Sequence, residues 1–332
     1  MVSSDITMRK LIIQIPCLNE EQTLAITLRD LPRQVEGFET VEWLVIDDGS
    51  KDGTVEVARA NGVDHIISLR HNQGLAKAYM AGLEACLKLG ADVIINTDAD
   101  NQYDAVCIPD LVRPILEGEA EIVVGARPIA DIKHFPPHKK LLQWLGSWAV
   151  RLASKTRIAD APSGFRAVHR DAALRLMVYN EYTYTLETII QAGRKGIRIT
   201  SVPIRVNGDL RPSRLVKSIS SYVQRSIGTI FRIFIVYKPF RAFIVLGIVL
   251  MLPALALGVR YIWLISTGGA GGHIQSLILA SILFTGGFMC FALAVIADLL
   301  AINRTLMEEV RSRLLRSQVD AYINESNSAP KR

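Results

Sequence analysis

The sequence predicts an α/β domain built on a mostly parallel sheet, continued by an amphipathic helix and two helices that cross a membrane. Three observations carry this. Short β-rich runs alternate with helical patterns from residue 11 to about residue 125. Two later runs, 243–265 and 276–302, are apolar and long enough to span a hydrocarbon core, which takes about 20 residues. The chain of 332 residues is 50% hydrophobic yet 21% charged, with mean hydropathy +0.25, a balance that suits a soluble unit joined to a membrane part. The first unit is long enough to bury a full core without disulfide staples.

Residues 11–15, 43–46, 65–69, 93–96 and 121–124 are the strand candidates, each a short β-rich run bounded by polar or turn residues. Between them, 54–61, 74–89 and 105–116 have helical length and apolar spacing. Strand and helix in alternation predict a parallel sheet covered on both faces, and such sheets bind ligands beyond the carboxyl ends of their strands. Three strands run straight into polar residues: Ile15 into P-C-L-N-E, Ile46 into D-D-G-S and Asn96 into T-D-A-D. All three are expected to converge on one edge.

Residues 213–236 place Arg214, Lys217, Arg225 and Arg232 on one side of a helical wheel and Leu215, Ile219, Tyr222, Val223, Ile227, Ile230 and Phe234 on the other. That is the profile of a helix lying in a membrane surface, and also of an amphipathic helix packed on the soluble unit. With spans so close, the interface is the expectation. The link between the two spans carries no Lys or Arg, whereas residues 205–241 carry eight and the tail after Asn303 carries six. The positive-inside rule puts both ends in the cytoplasm. Arg260, inside the first span, is expected to lie near the far interface and snorkel. The last residues, from about Asn324, read as a disordered tail.

The formal net charge is +6. Its distribution says more than its size. From Arg127 to Arg170 nine Lys and Arg face only Asp131 and Asp160, a stretch suited to an anion. The basic residues flank membrane segments and form no aromatic-interleaved stripe, so no nucleic-acid partner is expected. Cys17, Cys86, Cys107 and Cys290 are scattered, and the histidines show no H-E-x-x-H spacing, so neither a disulfide framework nor a zinc site is indicated. The N-terminal apolar run stops at Pro16 after a strand's length, so no signal peptide is expected and the first unit is placed in the cytoplasm.

Asp98 and Asp100 follow an apolar strand, where alternate residues can aim two carboxylates at one point. A hard divalent cation wants such a site, completed by water and phosphate oxygens. Residues 47–54, D-D-G-S-K-D-G-T, also follow a strand. Their glycines permit a tight turn, Ser50 or Asp52 can cap the next helix, and Asp47 or Asp48 can hold a ligand.

Taken in order, P-C-L-N-E at 16–20, D-D-G-S-K-D-G-T at 47–54, H-N-Q-G at 71–74, D-A-D-N-Q at 98–102, G-A-R at 125–127 and S-G-F-R at 163–166 resemble glycosyltransferase family 2 with a GT-A fold. The later R-P-S-R and two membrane segments resemble its polyprenyl-phosphate hexosyltransferases, which include dolichol-phosphate mannose synthases. The resemblance implies a membrane-anchored enzyme of the cell's inner (plasma) membrane. It would move a hexose from a UDP- or GDP-linked sugar to an undecaprenyl or dolichyl phosphate, with inversion. By position it puts Pro16, Asn19, Glu20, Asp47, Asp48, Lys77, Asp98 and Ala99 around the donor, and Asp98, Asp100 and Gln102 on Mg²⁺ or Mn²⁺. Arg127, Arg166, Arg211, Ser213 and Arg214 would meet phosphate oxygens, with Asp160, Arg166 and Arg127 at the reacting centre. A homo-oligomer is a further implication. The implied organisation is a cytoplasmic catalytic domain over 1–210, an amphipathic juxtamembrane region over 211–240, a two-helix anchor over 241–303 and a cytoplasmic tail over 304–332.

Two departures stand out. Where many relatives continue the metal motif with His-Pro-like residues, this chain has Tyr103-Asp104, and the frequent acidic residue of G-D-F-R is absent from S-G-F-R. A phosphate monoester has a second pKa of about 6 and is largely ionised near pH 7. Such an acceptor needs little help from a base, so Asp160 is expected to be an orienting residue or an optional base. A neutral lipid acceptor would need a committed base. The other alternative is a catalytically silent, membrane-anchored sugar-nucleotide binding protein.

Overall fold

The computed structural model describes residues 8–128, 154, 156, 158–178, 184–208, 238–267 and 274–328. The expected amphipathic helix over 213–236, with Arg211, Ser213 and Arg214, lies outside the described residues. The chain divides into two compact units, Met1–Ser226 with Glu309–Arg332, and Ile227–Glu308.

In the first unit, strands β1 (Met8–Cys17), β2 (Phe38–Asp47), β3 (His65–Ser68), β4 (Val93–Asn96), β5 (Ile122–Ala126), β6 (Arg166–His169) and β7 (Ile199–Pro203) form one sheet in the order β3-β2-β1-β4-β6-β5-β7. All neighbours pair in parallel except β6, which runs antiparallel to both β4 and β5. Helices α1 (Leu24–Asp30), α2 (Thr54–Ala60), α3 (Leu75–Lys88), α4 (Ile108–Leu116), α5 (Arg170–Arg175) and α6 (Thr185–Arg194) accompany it. A 3₁₀ turn, Ala105–Cys107, leads into α4, and its first amides are served by Asp104, whose carboxylate accepts from Val106 N–H at 3.0 Å.

The central strands are mostly apolar because they are covered on both faces. Leu11, Ile13, Ile15, Val45, Val93, Ile95 and Val123 are fully buried against Leu24 and Leu28 of α1 and Ile108 and Leu111 of α4. Each such side chain contributes roughly 1.5–3 kcal/mol relative to exposure. β1 and β2 are longer than expected. Their outer ends are held by polar side chains, with Glu42 accepting from Lys10 Nζ at 2.9 Å and meeting His65 Nε2 at 2.8 Å.

In the second unit, α7 (Pro239–Ser266) and the first part of α8 (Ile274–Ser328) are, among the described residues, the two helices long and apolar enough to cross a membrane. Leu252, Trp263, Ile282 and Phe288 stand more than half exposed along them. The helices touch where side chains are smallest: a Cβ added to Gly247 would lie 3.1 Å from the Gly287 carbonyl oxygen. Contrary to the expected disordered tail, α8 continues to Ser328. Its end belongs to the first unit, where Arg316 pairs with Asp171 at 2.9 Å and Asp320 with Arg170 at 3.2 Å, either side of the fully buried Val319.

Candidate active site

The parallel strands β1, β2, β4 and β5 deliver their carboxyl ends to one edge of the sheet. The reversed β6 brings the loop before it to the same edge, because Arg166 pairs with Asn96 and with Val124. Residues 16–20, 47–54, 97–102, 125–127 and 160–165 therefore share one cleft edge.

On the β1–β2 side the motifs hold one another. Asn19 adopts a left-handed φ of 54°, tolerated by Asn better than by most residues. Its amide donates to Ser50 Oγ at 2.9 Å and its Oδ1 accepts from Lys51 N–H at 2.9 Å. Glu20 N–H donates to Thr54 Oγ1 at 2.8 Å, and the Glu20 carboxylate accepts from Thr23 Oγ1 at 2.8 Å. Gly49 has φ +78°, and a Cβ there would meet the His71–Asn72 backbone at 2.8 Å, so the D-D-G-S and H-N-Q-G segments touch only because this residue is glycine. Asp47 and Asp48 are both buried. Asp47 Oδ1 accepts from Ser50 N–H at 2.9 Å. Asp48 spends both oxygens on the amides of Gln73 and Gly74, at 2.7 and 2.9 Å, which pins the start of α3. Pro16 is buried within β1, and Lys77 is exposed near the start of α3.

After β4, the buried Ala99 accepts from Thr27 Oγ1 at 2.9 Å through its carbonyl. Asn101, at φ 56°, donates to Asp30 at 2.8 Å. Asp100 Oδ1 accepts from Gln102 N–H at 3.2 Å. The Asp98 carboxyl is pushed up to about 7, by burial first and by the neighbouring charge of Asp100 second, against the opposing pull of Arg127. Two acids held against their own repulsion fit a divalent cation. Among the described residues no group of three His, Cys, Asp or Glu could hold a metal. A cation at Asp98 and Asp100 would thus take its remaining ligands from Gln102, water and phosphate oxygens, as Mg²⁺ commonly does, and unlike a closed structural zinc site.

At the far side, Arg127 from the end of β5 meets Asp160. Asp160 is 1% exposed, while Arg127 keeps part of its side chain in solvent. Burial works to lower the Arg127 pKa, but its hydrogen bonds to Asp160 and the nearby charges of Asp160 and Asp98 hold it above its usual value. Arg166, expected to meet phosphate, is turned inward in the structure. Its side chain is 1% exposed; Nε donates to Ser163 O at 2.8 Å, Nη2 to Ala161 O at 2.8 Å and Nη1 to Thr188 Oγ1. It fastens the 161–165 loop to α6 from beneath.

Sequence reasoning missed a buried polar cluster under the cleft. Gln14 donates to Asn96 Oδ1 at 3.0 Å; Asn96 donates to Gly164 O at 3.0 Å and to the Tyr184 hydroxyl at 2.8 Å. Tyr184 stacks on Tyr79 with ring centroids 3.8 Å apart. Polar residues inside otherwise apolar strands, Gln14 in β1 and Asn96 in β4, were the visible signal.

The family model described as "Glycosyl transferase family 2" matches residues 12–183, and the chain belongs to that family. It is a glycosyltransferase with a GT-A-like domain. Among its relatives, the undecaprenyl-phosphate mannosyltransferase of Micrococcus luteus is 30% identical over 200 residues, covering 57% of this chain and 80% of that protein. The UDP-N-acetylglucosamine–dolichyl-phosphate N-acetylglucosaminyltransferase of Methanococcus voltae is 28% identical over 215 residues, covering 58% and 83%. The fold is also similar to that of glucosyl-3-phosphoglycerate synthase from Mycobacterium tuberculosis in complex with phosphoglyceric acid, at TM-score 0.53 and 21% identity over 67% of this chain and 80% of that one.

Proposed function

We propose that this protein transfers a hexose from a nucleotide-diphosphate sugar to a polyprenyl phosphate at the cytoplasmic leaflet of the inner (plasma) membrane, inverting the anomeric centre. The observation that carries the reading is the shared sheet edge, with paired carboxylates at Asp98 and Asp100 and a carboxylate-held guanidinium at Arg127. The names of the two relatives above, which act on undecaprenyl and dolichyl phosphates, support the acceptor. The exposed apolar side chains of α7 and α8 support a membrane anchor, since soluble surfaces rarely carry such continuous patches. The Lys and Arg distribution supports cytoplasmic ends.

In this reading the loops at Pro16–Glu20 and Asp47–Asp48 seat the nucleotide, with Lys77 near it, and Asp98, Asp100 and Gln102 hold Mg²⁺ or Mn²⁺ by the diphosphate. A divalent ion held there would supply neutralisation of charge on the departing diphosphate. A phosphate oxygen of the acceptor attacks the anomeric carbon from the face opposite the diphosphate. The new carbon–oxygen bond forms as the old one breaks, and its electron pair leaves on the nucleoside diphosphate. The acceptor is already ionised near pH 7, so no proton needs removing. Arg127 holds it, and Asp160 aims Arg127. Transfer to a neutral hydroxyl would instead need a free base, and both Asp160 oxygens are engaged by Arg127.

Sugar transfer in detergent tests this, using undecaprenyl phosphate, Mg²⁺ or Mn²⁺ and a panel of radiolabelled nucleotide sugars, run beside Asp100→Ala. Metal-dependent labelled lipid from one donor, lost in the variant, is the expected result. Donor binding without lipid product from any donor would overturn it in favour of another acceptor or a silent binding protein.

A further inference from the structure

Tyr103 stands where this chain departs from the usual continuation of the acidic motif, and none of the roles above uses it. Its side chain is 5% exposed. The ring stacks on Phe165, centroids 5.1 Å apart and planes within 10°. Its backbone forms an antiparallel bridge with Val206, and next to it Asp104 N–H donates to Arg205 O at 3.3 Å. Ring and backbone are thus fixed independently.

The hydroxyl is fixed as well. It accepts the Gly164 N–H at 3.0 Å and hydrogen-bonds the Asp98 side chain. An amide N–H can only donate and an ionised carboxylate can only accept. The hydroxyl proton therefore points at Asp98, and the relay runs from Gly164 N–H through Tyr103 O–H to the carboxylate. Gly164 also closes around the same carboxylate, since a Cβ there would lie 3.1 Å from both Asp98 oxygens.

We infer that Tyr103 is a positioning residue, whose hydroxyl, locked by the Gly164 amide, fixes the rotamer of Asp98 and leaves the rest of that carboxylate to a divalent cation. This rests on the reading of Asp98 and Asp100 as metal ligands. Partners that orient a metal ligand typically carry about 10–100-fold in affinity. Phenylalanine keeps the ring and its stack while deleting only the hydroxyl, so Tyr103→Phe isolates the relay.

The test is Mn²⁺ binding to the full chain in detergent, with UDP or in parallel GDP present to supply phosphate oxygens, followed by electron paramagnetic resonance, for wild type, Tyr103→Phe and Asp98→Asn, with thermal unfolding of each. Wild type is expected to bind, Asp98→Asn to lose binding, and Tyr103→Phe to bind about tenfold more weakly. Wild-type Mn²⁺ affinity in Tyr103→Phe, with binding still lost in Asp98→Asn, would overturn the role of Tyr103 and leave the metal site standing. A lowered unfolding temperature at unchanged affinity would do the same, reducing the hydroxyl to a packing role. Equal binding by wild type and Asp98→Asn, or none by wild type, would overturn the metal reading and this inference together.

Discussion

Arg127 encloses the Asp160 carboxylate: Nε donates at 2.7 Å and the backbone amide at 3.3 Å to Oδ2, and Nη2 donates at 3.1 Å to Oδ1. A buried carboxylate held this way has its charge neutralised and its lone pairs directed at one partner. It is built to aim a guanidinium.

A committed general base is worth about 10²–10⁴ in rate. Asp160→Asn keeps an acceptor for Arg127 and removes the charge, so turnover should fall about tenfold, with stability lowered by about 1–3 kcal/mol. Initial rates and thermal melts check this. A loss of a thousandfold or more in a folded variant would return Asp160 to the role of base.

Arg166→Ala should act on folding. The substitution strips partners from the carbonyls of Ala161 and Ser163 and from Thr188 in a buried setting, at a cost of about 2–4 kcal/mol. Thermal unfolding should show the loss, and activity should track the folded fraction. A stable Arg166→Ala protein with a selectively raised KM for lipid phosphate would instead support a direct phosphate contact.

Gly164→Ala should spare the backbone and spoil the site. An added Cβ would lie 3.0 Å from the Tyr184 hydroxyl and 3.1 Å from both Asp98 oxygens, so the carboxylate must move. Misplacement of a site group by about 1 Å can cost about 10²-fold. Turnover is therefore expected to fall about 10–100-fold while the melt shifts by only about 1 kcal/mol. Unchanged turnover would show that the Asp98 position is not critical.

The raised pKa of Asp98 gives metal-free stability a pH dependence of definite sign. Its folded value of about 7 lies above the ordinary aspartate value of 3.8, so the folded state holds this proton more tightly than the unfolded chain does. The penalty is absent below about pH 4, grows as pH rises, and is complete above about pH 7. Each tenfold difference in proton affinity between the two states is worth about 1.4 kcal/mol. In chelator at pH 8, Asp98→Asn should thus be more stable than wild type by about 2–4 kcal/mol. The gap should close towards pH 4. Melts across that range decide it, and a variant less stable at pH 8 would refute the strained carboxylate.

The sequence made the parallel core legible because its strands are local apolar runs. Residues 93–96 were expected as a strand, and β4 occupies those positions. Elements that depend on distant partners were not expected. β6 is only R-A-V-H, and it is a strand because β4 and β5 lie on either side of it. Helix α1 starts after Thr23, but that side chain makes no cap hydrogen bond and no acid stands in the first turn, so its start signal is weak. In the site, motif order pointed to loops that share one sheet edge, but not to the partners of their side chains. Nothing in S-G-F-R says that its arginine turns inward, nor in D-D-G-S that Asp48 is consumed by two amides. Tyr103 was visible only as an unusual neighbour of the acidic pair.

The reversed strand also has a consequence for how the molecule comes into being. β1 to β4, with the loops at 16–20, 47–54 and 97–102, are synthesised first, and β1 finds β4 across the chain between Leu11 and Val93. β6 must return from beyond residues 97–165 to dock on β4. Synthesis runs from the N-terminus, so β6 can reach β4 only after those four strands have been made. The half of the cleft bearing the paired acids can therefore assemble early on the ribosome. The half bearing Asp160, Gly164 and the turned-in Arg166 can be added only once β6 has been made, so the Asp98 carboxylate acquires its Gly164 neighbour after the paired acids are already on the chain.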